Sequence, residues 1–205
     1  VNNTRAGRID NTNRNTIWGY SAGVNVTGAD NTFIGNTSGT YITAGSRNTA
    51  VGSNALNTLS IAFNDVNDNV AIGYRALNDL TVGERNIAIG NSSLQSLGAG
   101  WYDNIAIGDS AGYSMSWANN IVIGNSALKN AEFVGGCIAI GKKALYKMNN
   151  TSTTPYLYAF NMAIGHGALE NSLSTVDTFG VYNTAIGHNA LQDNTTGHNS
   201  TALGL

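Results

Sequence analysis

Aromatic residues beside amides and hydroxyls carry the strongest chemical signal in this sequence. They occur in three segments, at residues 57–68, 146–160 and 171–182, and in a further stretch over residues 101–117. An aromatic ring can stack on the C–H face of a sugar, while amides and hydroxyls bond the sugar's own hydroxyl groups. The mixture predicts glycan contacts by Trp101, Tyr102, Trp117, Tyr146, Tyr156, Tyr158, Phe160, Phe179 and Tyr182. Alternatively, the same rings pack on neighbouring backbone or on a partner chain.

Catalytic signatures are weak by comparison. The chain has only three glutamates, Glu84, Glu132 and Glu170, and its nine aspartates fall mostly in turns. Two carboxylates on either side of a glycosidic bond would make a polysaccharide depolymerase, but no spacing selects such a pair. We therefore expect no enzymatic activity, with a depolymerase on the same scaffold as the alternative.

Metal and cofactor signatures are also weak. His166 and His188 each follow a glycine directly and share one register, so they should lie close together, and an assembly could gather more copies. Such a cluster could hold a transition metal, but the equivalent positions elsewhere form a variable polar set, which favours surface histidines. Cys137 is the only cysteine, which excludes an intrachain disulfide and a thiolate metal cluster. We expect no metal and no cofactor.

A repeat positions all of these residues. A glycine closes a short apolar run eleven times, at Gly19, Gly35, Gly52, Gly73, Gly90, Gly108, Gly124, Gly141, Gly165, Gly187 and Gly204. We call these the anchor glycines. Their spacing is 16 to 18 residues apart from three longer intervals, which correspond to the three aromatic insertions. Each unit reads approximately Asn-Thr/Ile-Ala-Ile-Gly-x-Ser/Asn-Ala-Leu.

Two columns of the repeat predict structural ladders. Asn stands four residues before the anchor in nine units, and a large apolar residue always stands one before it. The clearest members are Asn48, Asn69, Asn86, Asn104, Asn120, Asn161 and Asn183, and Ile72, Ile89, Ile107, Ile123, Ile140, Ile164 and Ile186. Short runs rich in Ile, Val and Thr that stop at Gly are typical of strands. A period this short accommodates two strands and two turns but no helical hairpin.

These patterns predict an all-β fold, a parallel β-solenoid of about eleven short coils. We expect a single repeat domain over residues 1–205, with insertions at 57–68, 146–160 and 171–182, and a fragment of a longer fibrous protein. Strand alternation predicts that the Ala column lines a thin interior while the Ile and Leu columns point outwards, or the reverse. Either face is apolar, so we expect burial of the exposed stripe between chains around a threefold axis.

Composition excludes other partners. The net charge is −2 and 11% of residues are charged, against ~25% in an average globular chain. This balance argues against a basic nucleic-acid stripe and an anionic-lipid patch. No apolar run reaches the ~18 residues of a membrane span, so we expect no direct membrane insertion.

The Asn-x-Ala-Ile-Gly-x-x-Ala pattern resembles the head repeats of trimeric autotransporter adhesins, whose type case is the collagen-binding Yersinia member. It is more similar still to the longer Asn-Thr-Ala-Ile-Gly-x-x-Ala-Leu repeats of bacteriophage tail fibres and related bacterial surface proteins. The resemblance covers residues 15–205. It implies a homotrimeric, left-handed parallel β-roll used as an extracellular attachment rod on a cell surface or a virion.

Together these observations favour a fibrous attachment protein that binds host or cell-surface polysaccharide, or protein, multivalently. A purely structural spacer rod is the alternative alongside the depolymerase. An ice-binding face ranks last, because the Thr column formed by Thr16, Thr32, Thr49, Thr184 and Thr201 is interrupted by apolar residues.

Overall fold

The computed structural model is all-β. It describes residues 7–57, 66–96, 99–131, 134–150, 158–174 and 180–205. Its strands are β1 (Gly7–Asp10), β2 (Asn15–Trp18), β3 (Thr32–Ile34), β4 (Thr49–Val51), β5 (Val66–Asn67), β6 (Val70–Ile72), β7 (Val82–Glu84), β8 (Ile87–Ile89), β9 (Ala99–Tyr102), β10 (Ile105–Ile107), β11 (Ile121–Ile123), β12 (Ile138–Ile140), β13 (Asn149–Asn150), β14 (Met162–Ile164), β15 (Leu173–Ser174), β16 (Thr184–Ile186) and β17 (Thr201–Leu203). Within these ranges no helix is long and apolar enough to cross a lipid bilayer.

One twelve-stranded sheet, which we call the main sheet, runs the length of the molecule. Its order is β1-β2-β3-β4-β6-β8-β10-β11-β12-β14-β16-β17, and β1 alone pairs antiparallel to its neighbour. Smaller sheets, β5-β7-β9 and β13-β15, lie between the main-sheet strands in sequence. The chain therefore winds as a parallel β-solenoid of about nine turns, which confirms the predicted all-β, parallel β-solenoid architecture. The count of about eleven coils stays a prediction.

The main sheet separates two columns of side chains. The central residue of each strand points inwards, and Ala71, Ala88, Ala106, Ala139, Ala163 and Ala185 are fully buried. The residues on either side point outwards; Ile107 and Ile123 remain 37% exposed. Of the two directions that strand alternation left open, the structure has the Ala column in the interior. The outward Ile residues form a continuous apolar stripe, which we call the outer face.

The Leu column does not share the direction of the Ile column, although both alternatives left open by strand alternation expected that it would. Leu56, Leu77, Leu94, Leu128, Leu145 and Leu169 are completely buried. Their backbones adopt left-handed φ values, from 46° at Leu128 to 52° at Leu145. Strand alternation does not continue past the anchor glycine, because the left-handed turn redirects the following side chains into the interior.

The predicted Asn ladder is present and buried. The Oδ1 atom of each ladder Asn accepts the backbone N–H at the equivalent position of the next coil, at 2.8 Å from Asn31 to Asn15 and 3.0 Å from Asn120 to Asn104. The Nδ2 atom donates to a backbone carbonyl just before the next ladder position, for example from Asn104 to the carbonyl of Trp117, which lies three residues before Asn120, at 2.9 Å. Each amide thus holds two consecutive turns in register.

The anchor glycines allow the coils to approach closely. Gly108 has φ 136°, which is unfavourable for any other residue, and a Cβ built there would lie 2.7 Å from the Gly124 carbonyl carbon. The other anchor glycines up to Gly187 likewise press on the next anchor's backbone. The glycine column is therefore a requirement of coil stacking.

Candidate functional site

The residue directly before each ladder Asn forms a column along one edge of the solenoid. Cys137 and Ser200 take the ladder position in the two coils that lack Asn there. We call the column the edge column; it contains Arg14, Asp30, Arg47, Asp68, Arg85, Asp103, Asn119, Gly136, Phe160, Tyr182 and Asn199. Every member has positive φ, from 48° at Phe160 to 71° at Gly136. This repeated turn geometry places the eleven residues one above another where the chain enters the main sheet.

Five aromatic residues form a continuous series of ring contacts at the C-terminal half of this edge. Their centroids are 4.9 Å apart for Trp101 and Trp117, 6.2 Å for Trp117 and Tyr158, 5.4 Å for Tyr158 and Phe160, and 5.8 Å for Phe160 and Tyr182. The last two pairs are nearly parallel, with interplanar angles of 20° and 18°. We call this series the aromatic edge.

Two glycines make room for the aromatic edge. The coil between Trp117 and Tyr158 presents Gly135 and Gly136 at this edge. A Cβ at Gly135 would clash with the Trp117 ring, and one at Gly136 would lie 2.9 Å from the Phe160 ring. The Trp117 and Phe160 rings, which belong to the two neighbouring coils, therefore pack over the backbone of Gly135 and Gly136.

The aromatic edge is accessible to solvent over its last three rings. Tyr158, Phe160 and Tyr182 are 42%, 52% and 54% exposed, while Trp101 and Trp117 are half-buried. Phe160 is stacked between the two tyrosines, so the exposed parts of the three side chains lie next to one another. This surface can offer C–H stacking and hydrogen bonding to one ligand.

The remaining predicted glycan-contact residues do not join this surface. Tyr102 lies against the Arg85 guanidinium, 5.9 Å from it, and Tyr146 lies against the Lys143 ammonium on the far side of the strands, 5.4 Å away. Tyr156 and Phe179 lie outside the described residues, as do residues 58–65, 151–157 and 175–179 of the three insertions as a whole. The structure therefore brings together five of the nine predicted residues.

The N-terminal half of the edge column carries alternating charges that the sequence reading missed. Arg14 binds Asp30, Arg47 binds Asp68 and Arg85 binds Asp103, each through two guanidinium nitrogens at 2.6 to 3.1 Å. We call these six residues the charged edge. Aligning the repeats one residue before the ladder Asn would have revealed the Arg/Asp alternation.

The charged edge keeps its carboxylates ionised. Hydrogen bonds from Arg14, Arg47 and Arg85 hold the pKa of Asp30, Asp68 and Asp103, respectively, below the ordinary Asp value. A carboxylate of lowered pKa is a poor proton donor at neutral pH. The other described aspartates, Asp10, Asp79, Asp109 and Asp193, accept hydrogen bonds from neighbouring amides.

The two histidines lie where their shared register placed them. The rings of His166 and His188 are 5.1 Å apart, edge to face, and both are exposed. No group of three or more metal-ligating side chains occurs among the residues that the structure describes. Cys137 takes the place of Asn in the ladder, and burial raises the pKa of its thiol to about 12.

Comparison with known proteins adds no relative. The chain matches no protein-family model, no curated protein and no solved structure. The functional argument therefore depends on the sequence and the geometry described above.

Proposed function

We propose that this chain is a fibrous attachment protein, part of a phage tail fibre or a bacterial surface adhesin, that binds cell-surface glycans multivalently outside the cell. The observation that carries the proposal is the aromatic edge, with three adjacent rings 42% to 54% exposed on a rigid rod. Exposed aromatic surface is costly in water, so a row of it on an otherwise polar edge indicates a binding surface.

A homotrimer is part of the proposal because of the outer face. The eleven parallel strands of the main sheet carry outward Ile, Val, Thr, Met, Trp and Leu residues, and its middle strands β8, β10 and β12 read Ile-Ala-Ile. A stripe of this kind is larger than most monomers expose. Three copies around a threefold axis would bury it in a common core and carry three aromatic edges on one rod.

Multivalency gives such a rod its affinity. A single half-exposed ring series offers weak contact with a sugar, but linked copies raise avidity by about 10²-fold or more where the geometry permits simultaneous binding. The ladder hydrogen bonds fix the spacing of the aromatic rungs, so little entropy is lost when the ligand docks.

The test is binding to intact host or bacterial cells and to arrayed glycans by the variant Tyr158→Ala, Phe160→Ala, Tyr182→Ala. We expect a loss of at least about tenfold in apparent affinity, as for removal of several aromatic anchors. The matched control is Tyr20→Ala with Tyr74→Ala, because both tyrosines are exposed but lie outside the aromatic edge. Unchanged binding of the first variant would refute the aromatic edge as the glycan site.

Assembly is measured on the same preparations. Light scattering of the native chain should give a mass about three times the 21.4 kDa of one chain. A mass of one chain would contradict the homotrimer.

A purely structural spacer rod is the second candidate, favoured by one observation. Gly135 and Gly136 are shaped to receive the Trp117 and Phe160 rings, as expected if ring packing alone selected these residues. A spacer predicts that neither the native chain nor the triple variant binds cells or glycans, and that the triple variant only loses stability.

A further inference from the structure

The lysines of this chain occupy one small region. All four, Lys129, Lys142, Lys143 and Lys147, fall within two consecutive repeats, and residues 110–169 contain a single acid, Glu132. This segment has a local net charge of +3, or +1 when the flanking Asp109 and Glu170 are included, in a chain whose net charge is −2. Every other cation is an arginine in the first 85 residues.

The coils bring these lysines together with two tyrosines. Backbone hydrogen bonds from Ser114 to Lys129 and from Asn130 to Tyr146, both 3.0 Å, place Tyr113, Lys129 and Tyr146 in one column on successive coils. The Lys129 ammonium lies 5.7 Å from the Tyr113 ring centroid, and that of Lys143 lies 5.4 Å from Tyr146. We call the four lysines and these two tyrosines the lysine patch.

The positive charge of the patch is only partly compensated. Lys143 forms an ion pair with Glu170 at 3.1 Å. Lys142 and Lys147 are exposed and Lys129 is half-buried, and none of the three has an ion pair within the described part of the chain. The charged edge, by contrast, pairs each of its cations with an aspartate.

The patch is separate from the aromatic edge. The edge column precedes the strands of the main sheet, whereas the lysines follow them; in the coil of β12, Gly136 comes before the strand and Lys142 directly after the anchor glycine. The two surfaces therefore lie beyond opposite ends of the strands.

We propose that the lysine patch is a second binding surface, which recognises the carboxylate groups of an acidic polysaccharide. This inference rests on the proposed attachment function in taking a surface glycan as the occupant. Lysine ammonium groups bind carboxylates as point charges, and the tyrosines held beside two of them supply ring surface and hydroxyls for the sugar. The acidic remainder of the chain repels any polyanion that extends past the patch, and it repels a polymer with one carboxylate per sugar less than duplex DNA or an anionic bilayer, whose charges are more closely spaced.

The experiment measures binding of the native protein to immobilised polygalacturonate, a polymer of uronic acid, at low and at high NaCl. The comparison ligands are neutral dextran, single-stranded oligothymidine and vesicles of phosphatidylserine and phosphatidylcholine. We expect binding to polygalacturonate that weakens as salt increases, with at least about tenfold weaker binding to dextran, since screening acts on exposed charges.

The decisive variant is Lys142→Gln with Lys147→Gln. Its matched control is Arg8→Gln with Arg75→Gln, which lowers the net charge equally but lies outside the patch. We expect the lysine variant to lose about tenfold in apparent affinity for polygalacturonate, with avidity multiplying the loss, and the control to change by less than about twofold.

Three results would overturn the inference. They are equal affinity of the two charge-matched variants, binding of dextran as tight as that of polygalacturonate, and tighter binding of oligothymidine or of vesicles. Unfolding of a variant, checked by circular dichroism, leaves the salt and ligand series of the native protein to decide. The aromatic-edge variant separates the two proposals: if the patch is right and the aromatic edge wrong, cell binding survives that variant and polygalacturonate binding is lost only with the lysines.

Discussion

The two halves of the edge column show how one backbone carries two kinds of chemistry. The residues of the edge column alternate in charge from Arg14 to Asp103, and Phe160 and Tyr182 are aromatic. All of these residues have left-handed φ and precede a main-sheet strand. In the charged half the charges are paired within the chain, because each guanidinium binds the carboxylate of the next coil. The aromatic half leaves ring surface exposed. The Asn ladder supports both halves, and the aromatic half is the one that leaves ring surface for the glycan binding that we propose.

The energies of the two halves should differ as well. Exposed ion pairs contribute about 0–1 kcal/mol each, because water screens them. Ring pairs contribute about 0.5–1.5 kcal/mol beyond the area that they bury. The shared Asn ladder is buried, so its loss should exceed either.

The largest effect is expected from the ladder. Asn86 bonds Asn69, Asn104 and the Trp101 carbonyl through its side chain. Asn86→Ala leaves buried polar groups unsatisfied, so the free energy of unfolding should fall by about 3 kcal/mol. Denaturant titration measures it.

Cys137 supplies the reverse experiment for the ladder. Its thiol sulfur accepts the Asn161 backbone N–H, a weak bond to a poor acceptor. Cys137→Asn restores the amide and should raise the free energy of unfolding by about 1 kcal/mol. If the ladder merely fills space, Asn86→Ala still lowers stability through the cavity that it leaves, but Cys137→Asn brings no gain, and that outcome would contradict the role of the amide hydrogen bonds.

The next effect separates the aromatic half from the charged half. Phe160 contacts two rings, Tyr158 and Tyr182, so Phe160→Ala should lower the free energy of unfolding by about 1–2 kcal/mol. Asp68→Ala removes one exposed ion pair and should cost no more than about 1 kcal/mol. Tyr74→Ala controls for loss of an exposed ring outside the series. An equal cost for Phe160 and Asp68 would remove the energetic distinction between the halves.

Periodicity explains why the fold was predictable and the site only partly so. The Asn, Ala and Ile columns repeat every coil, so the columns and the Asn ladder could be predicted from spacing alone. Strand alternation put Ala and Ile on opposite faces but did not decide which of them faces the interior. Leu56 and its equivalents could not, because their inward direction depends on left-handed turns that strand alternation does not describe. The aromatic residues were predicted by chemical type, but only the coil geometry separates Tyr158, Phe160 and Tyr182 from Tyr102 and Tyr146.

The charged residues form a pattern that is present in the sequence but that whole-chain composition hides. The Arg/Asp alternation and the grouping of all four lysines are present in the sequence, yet whole-chain composition averages them to a small net charge. Only the register of the coils places Arg47 beside Asp68, 21 residues away, and Lys129 beside Tyr113. Charge patterns in a solenoid therefore become informative once they are assigned to columns.

The smallest expected effect is an acid response confined to the charged half. Asp68 and Asp103 have pKa values lowered by Arg47 and Arg85, so folding favours their ionised forms. The stabilisation is complete above the ordinary Asp pKa of about 3.9 and is lost as the pH falls through the lower folded-state pKa. The backbone N–H groups of Asp68, Asp103 and Tyr182 each donate to the preceding coil and report on their own rungs. Below about pH 4 the first two should lose hydrogen-exchange protection, corrected for intrinsic rates, while Tyr182 retains it. High salt at neutral pH should also lower the hydrogen-exchange protection of the Asp68 and Asp103 amides, because it screens their ion pairs. Equal loss of protection at Asp68, Asp103 and Tyr182 would instead show that the whole edge column opens together, whichever side chains it carries.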